Sequence, residues 1–154
     1  MKKLSEIFDI HYPNTNIFYK NEPDINGINF VSAKASDNGI VGKVKFTNEY
    51  KIYPPKSITV PLKGSVLEPS LQIEKFYCAH QIAVLVSKNK LNIRELLFYV
   101  YCIKENKFKF NYGRQADRTF KDLIVPEKKE IPTWVYNNSQ LKKKINSLLH
   151  YLTI

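Results

Sequence analysis

Residues 28–46 read INFVSAKASDNGIVGKVKF. Ile28, Phe30 and Ala33 begin a short apolar strand, Ser36-Asp37-Asn38-Gly39 turns the chain, and Ile40, Val44 and Phe46 leave on a second strand among the basic Lys43 and Lys45. Asn-Gly tolerates the positive φ angles of a tight reversal, so the spacing predicts a hairpin. Gly42 would add a bulge or allow the close approach of a ligand. A small polar loop with a basic far strand suits contact with a phosphate backbone. An ordinary hairpin with solvated lysines accounts for the same residues, and this stretch alone leaves both readings open.

On the N-terminal side, Leu4, Ile7, Phe8 and Ile10 fit a short amphipathic helix or an opening strand, ended by His11-Tyr12-Pro13-Asn14. Residues 14–27 are polar and turn-rich, and read as a surface loop. On the C-terminal side, the adjacent Pro54 and Pro55 break the chain. Residues 57–62 form a strand with Ile58, Val60 and Leu62 on one face, Lys63-Gly64 turns, and residues 65–76 read as irregular around Pro69. Residues 79–86 are the most β-favouring run and are expected in the middle of a sheet.

Residues 91–103 give the best helix. Asn92 is placed to cap it and Glu95 completes a capping box, with Asn in place of the usual Ser or Thr. Ile93, Leu96, Leu97, Val100 and Ile103 would face the sheet, with Tyr99 and Tyr101 on the flanks. Leu123-Ile124-Val125-Pro126 reads as a short buried strand, and Trp134 as the anchor of the tail. Residues 139–152 predict a final helix with one apolar stripe, Leu141, Ile145, Leu148, Leu149 and Leu152, that packs on its own domain or docks on a partner. The expected fold is α+β: a mixed, mostly antiparallel sheet with a packed helix over residues 1–136, then a C-terminal amphipathic helix over 137–154.

The chain has 154 residues, enough for one domain, and 24 Lys and Arg against 14 Asp and Glu give a net charge of +10. That balance favours a polyanionic partner, nucleic acid ahead of an anionic membrane. Residues 104–121 are the most basic segment, with six Lys or Arg against Glu105 and Asp117. Phe108, Phe110, Tyr112 and Phe120 interleave with those charges, and Asn111-Tyr112-Gly113-Arg114 reads as a turn presenting Tyr112 and Arg114, followed by Arg118. Arginine can pair with guanine edges or phosphates, and tyrosine with phosphates. An amphipathic strand and a solvated loop explain the pattern equally well. Cys78 and Cys102 read as buried free thiols, and neither they nor the scattered His11, His80 and His150 predict a metal site. The longest dense apolar run, residues 82–86, is far short of a membrane span, and no apolar stretch follows the basic N-terminus, so a cytoplasmic location without a membrane partner is expected.

Catalytic motifs are missing from the sequence. It holds no phosphate-binding Gly-x-x-x-x-Gly-Lys loop, no Gly-x-Gly-x-x-Gly, no Gly-x-Ser-x-Gly elbow and no His-Glu-x-x-His. Tyr53-Pro54-Pro55-Lys56 is not the Asn-Pro-Pro-Tyr of an amino-methylating enzyme, and Asp24 and Glu105 are too far apart to suggest a nuclease metal site. The sequence supports binding rather than catalysis, with no cofactor.

Three blocks carry a family resemblance. The first is Phe30-Val31-Ser32-Ala33-Lys34 with Asn38-Gly39-Ile40-Val41-Gly42. The second is Ile58-Thr59-Val60 with Lys63-Gly64, then Phe76-Tyr77-Cys78-Ala79 leading into the 82–86 strand. The third is Phe110-Asn111-Tyr112-Gly113-Arg114 with Arg118, then Leu123-Ile124-Val125-Pro126 and Pro132 with Trp134. In order and spacing they resemble the target recognition domain of DNA specificity subunits of type I restriction-modification systems and related fused restriction-methylation enzymes. The resemblance implies a non-catalytic domain that reads a short double-stranded DNA sequence, mainly through the major groove. It implies methyltransferase and endonuclease subunits as partners, and a docking role for the last helix. Local chemistry and motif position nominate Lys34, Asn38, Lys43, Lys45, Lys63, Tyr112, Arg114 and Arg118 for DNA contact: the lysines for phosphates, and Asn38, Tyr112, Arg114 and Arg118 for bases or register. A full type I subunit usually carries two such domains joined by long helices, whereas this chain has room for one, which admits a homodimer on a two-fold symmetric split site. A protein-interaction or inhibitor module that docks on a restriction complex is the alternative.

Overall fold

In the strand Ile82–Ser87 the first four residues are apolar at consecutive positions and all buried, because both faces of the strand are covered. Ala83 and Leu85 point into one core, and Ile82 and Val84 into another. The computed structural model, which describes residues 1–15, 18–63, 67–107 and 119–137, is built around this strand. In chain order the elements are β1 (Lys2–Lys3), α1 (Leu4–Ile7), β2 (Phe8–His11), β3 (Pro23–Val31), β4 (Ile40–Val44), β5 (Ser57–Pro61), β6 (Ser70–Gln72), β7 (Phe76–Cys78), β8 (Ile82–Ser87), α2 (Ile93–Glu105) and β9 (Ile124–Val125).

The strands form three sheets. The largest has the order β2-β8-β5-β6, all antiparallel, with β8 in its interior as the sequence predicts. The second has the order β4-β3-β7, in which β3 pairs antiparallel with β4 and parallel with β7. The third is the short antiparallel pair β1-β9. One face of the four-stranded sheet shares a core with Leu96, Leu97, Val100 and Ile103 of α2. Its other face shares a core with Phe30, Val31, Val44, Phe76 and Tyr77 of the three-stranded sheet. Strand alternation therefore gives one central sheet two partners: a helix on one side and a second sheet on the other.

α2 carries the expected cap. Asn92 Oδ1 accepts from the Glu95 amide at 2.9 Å, and Glu95 Oε2 accepts from the Asn92 amide at 2.9 Å. Ile93 is exposed rather than facing the sheet, because the buried stripe begins a turn later, at Leu96. Tyr99 is a core residue rather than a flank. It meets Phe8 edge-on at 5.3 Å, and its hydroxyl donates to Pro126 O at 2.8 Å, which satisfies the buried phenol. Trp134 anchors the tail against Phe98 and Tyr101, with ring centroids 5.9 and 6.1 Å away.

Three other local expectations change. The opening segment is both alternatives in succession, α1 and then β2. The turn-rich stretch before residue 28 is partly strand, since β3 begins at Pro23. The stretch read as irregular contains β6, and β7 begins at its end. The final helix predicted over 139–152 lies outside the described residues.

Candidate nucleic-acid interface

The expected hairpin forms between β3 and β4, with Asn29 opposite Lys43, Phe30 opposite Gly42 and Val31 opposite Ile40, but β3 stops at Val31, short of Ala33, and β4 at Val44, which leaves Phe46 exposed beyond the strand. The register slips between the last two pairs, so the ladder bulges beside Gly42. The close approach at Gly42 is to the Phe18 ring: a Cβ there would lie 2.6 Å from Phe18 Cζ. Asp37, Asn38 and Gly39 turn the chain with φ of 53°, 58° and 76°, a run that the short polar side chains and the glycine make tolerable.

The turn is bonded to the neighbouring sheet. Asn38 Nδ2 donates to Leu71 O at 2.7 Å, and Gln72 Nε2 donates to Asn38 O at 2.8 Å and to Thr59 Oγ1 at 3.1 Å. Asn38 is 1% exposed. The sequence nominates it for a base or register contact, and here its amide is turned inward and fixes the loop on β6. Its Oδ1 is buried without a hydrogen-bond partner.

Between the hairpin and the β6–β7 connection lies a groove. It comprises two open cavities of about 380 and 370 Å³, and Asn29, Lys43, Ile73 and Glu74 line both. Gln72 and Asn38 line the first, and Lys75, Pro55 and Gly27 the second. The buried Asn29 donates through Nδ2 to Glu74 Oε2 at 3.0 Å, and Lys43 Nζ stands 4.0 Å from the same oxygen in a weak, exposed pair. Sequence reasoning missed Asn29, Gln72 and Glu74. Ser70-Leu71-Gln72 is too short to mark β6 in the sequence, and the position of Ile73 and Glu74 on the connection after it depends on β6.

The nominated lysines divide. Lys43 lines the groove. Lys45 lies just past the end of β4, with Nζ 3.6 Å from Glu22 Oε2. Lys34 pairs with Asp37 beside the turn, and that hydrogen bond, then the lysine's charge, holds the Asp37 carboxyl below its usual range. Lys63 is exposed on the connection after β5 and does not line the groove. The pairs made by Lys34, Lys43 and Lys45 are all exposed. Such contacts contribute about 0–1 kcal/mol, so a phosphate can displace the carboxylates at little cost. Lys104 and Lys107, at the start of the basic segment, both pair with Glu68. Tyr112, Arg114 and Arg118, and the stripe Leu141, Ile145, Leu148, Leu149 and Leu152, lie outside the described residues.

At the rim, Pro23 and Ile28 both face Val44, so residues 24–27 loop out of the sheet. The Asn26 amide donates to Asp24 Oδ1 at 2.9 Å. Gly27 is required there, because a Cβ would stand 2.1 Å from Val44 O. Ile25 is 86% exposed on this loop. Elsewhere Cys78 and Cys102 are free, and burial raises the pKa of both thiols. Among the described residues no three His, Cys, Asp or Glu side chains cluster as metal ligands, and no helix is long and apolar enough to cross a membrane.

Comparison with known proteins bears on what such a groove serves. The sequence model of the type I restriction modification DNA specificity domain matches residues 1–133. A curated relative, the specificity subunit S.BcgI of a type II restriction enzyme from Heyndrickxia coagulans, is 25% identical over 148 residues, which is 94% of this chain and 43% of that protein. The HsdS subunit from Thermoanaerobacter tengcongensis superposes with a TM-score of 0.70 at 15% identity, over 95% of this chain and 38% of that one. The type I restriction-modification S subunit from M. genitalium gives 0.62 at 13% identity, over 97% and 40%. A chain from a structure of type I R-M complex assembly and conformational transition gives 0.70 at 17% identity, over 96% and 39%. These superpositions show a shared mixed α+β fold. The chain spans less than half the length of each of these relatives.

Proposed function

The chain belongs to the type I restriction-modification DNA specificity domain family, and we propose that it acts as a non-catalytic reader of a short double-stranded DNA sequence. The observation that carries this is the family match over residues 1–133. The groove, with Lys43 in it, and the exposed lysines elsewhere on the chain supply a physical route. Lys34, Lys43, Lys45 and Lys63 neutralise phosphates, replacing their weak carboxylate partners where they have one. Tyr112, Arg114 and Arg118 contribute base or register contacts, and Asn38 serves by shaping the turn.

Its partners are the methyltransferase and endonuclease subunits that carry the chemistry, with the stripe Leu141, Ile145, Leu148, Leu149 and Leu152 as the docking surface. One domain reads one half-site, so a homodimer reads a two-fold symmetric split site. Selection from random duplex DNA at low and moderate salt tests the reading. A short enriched motif is expected, and its symmetry reports the number of copies bound. Salt-sensitive binding without a motif would reduce the protein to a basic surface and reject sequence reading.

A further inference from the structure

Glu74 is out of place on a surface that binds phosphates. A carboxylate there repels the DNA backbone, yet Asn29 of the hairpin bonds this one in the groove, with Lys43 beside it. Asn29, buried in β3, commits its amide to Glu74 Oε2 at 3.0 Å, and Lys43 Nζ lies 4.0 Å from the same oxygen. No described donor bonds the other oxygen, Oε1. The Glu74 side chain is 61% exposed, so the carboxylate as a whole is reachable by a ligand. Glu74 also lines both cavities. Beside it Ile73 keeps half its surface exposed, an apolar wall next to an acceptor.

An acceptor-only group held at a fixed place in a DNA-binding groove selects for a base with an exposed amino group. In the major groove cytosine offers its N4 amino group with no acceptor of its own beside it. Adenine offers N6 next to the acceptor N7, which a carboxylate opposes. Guanine and thymine present acceptors in the positions a carboxylate would meet. Ile73 suits the apolar C5 edge of a pyrimidine. We propose that Glu74, positioned by Asn29, is a specificity-determining residue that accepts a hydrogen bond from cytosine N4. The inference rests on the DNA-reading function proposed above and assigns one of its base contacts.

The test is the same random-duplex selection run in parallel on the full chain and on Glu74→Gln, with thermal melting to show that both are folded. The wild-type motif is expected to contain a cytosine position. A glutamine there can donate to N7 and accept from N6 of adenine, so E74Q should lose about tenfold of the cytosine preference at that one position and move it towards adenine. The salt dependence should change little. Asn29→Ala should relax the same position without moving it to adenine, since it frees the carboxylate but keeps it. An E74Q motif identical to wild type, with binding merely tighter on every sequence, overturns the inference and leaves DNA reading intact. A wild-type chain that binds duplex with no motif overturns both.

Discussion

Asn38 holds φ at 58° with its amide turned into the protein. Asn38→Ala removes the donor to Leu71 O and asks a Cβ residue without local polar bonding to keep a left-handed conformation, so a loss of about 1–3 kcal/mol is expected in urea unfolding. Asn38→Gly keeps the backbone conformation and should lose less. A wild-type midpoint in Asn38→Ala would show that the turn does not depend on this bond. The thiols give a second residue-level prediction. Burial first, and then the charge of Glu105, push Cys102 up to about 12 from 9.0, and burial raises Cys78 still further. A pKa raised in the folded state means that the associated stability is complete below the unfolded value near 9 and is lost as pH climbs towards the folded one. Melting temperature should therefore be insensitive to these thiols around neutrality and fall on the alkaline side. Cys102→Ala should soften the first part of that fall, and an unaltered alkaline limb would count against the assignment.

At the scale of elements, α2 and β6 make an instructive pair. The capping box at Asn92 and Glu95 closes the N-terminus of α2, so Asn92→Ala should cost about 1 kcal/mol, measured by chemical denaturation. α2 was legible in the sequence because its cap and its stripe from Leu96 to Ile103 are both local signals. β6 was not. Ser70 and Gln72 are polar but buried, and Gln72 bonds the hairpin turn more than thirty residues away. Nothing near them in sequence announces that partner. The parallel pairing of β3 with β7 is hidden for the same reason, since strand periodicity reports a face and not a neighbour. The site divides likewise. Lys43 and the turn were visible in the Asn-Gly hairpin. Glu74 enters from a connection whose position depends on β6, and Asn29 reads as an ordinary strand residue until Glu74 is opposite it. The inward direction of Asn38 was equally unreadable, because a turn asparagine can face either way and only β6 decides.

For the molecule as a whole, charge and topology each have consequences. If the chain reads DNA as proposed, its net charge of +10 makes that affinity a function of salt. Replacing Lys43, Lys45 and Lys63 together by Ala should weaken binding to all duplexes alike. The slope of log affinity against log salt should become shallower by about 0.9 for each phosphate contact removed. A triple variant that changed the preferred sequence but kept the slope would show that these lysines touch bases and not the backbone. The topology concerns the order in which the chain is made. Among the described residues β2 pairs only with β8 within its sheet, and β1 only with β9. At about 5–20 residues added per second, Phe8 waits roughly four to sixteen seconds for Ser87, its partner across the ladder. Throughout that interval the nascent chain carries Leu4, Phe8 and then Phe30 and Val31 without the strands that cover them. Newly made protein is thus exposed to self-association for much of its synthesis, and chaperone supply or a slower translation rate becomes a variable in how much folded protein a cell obtains.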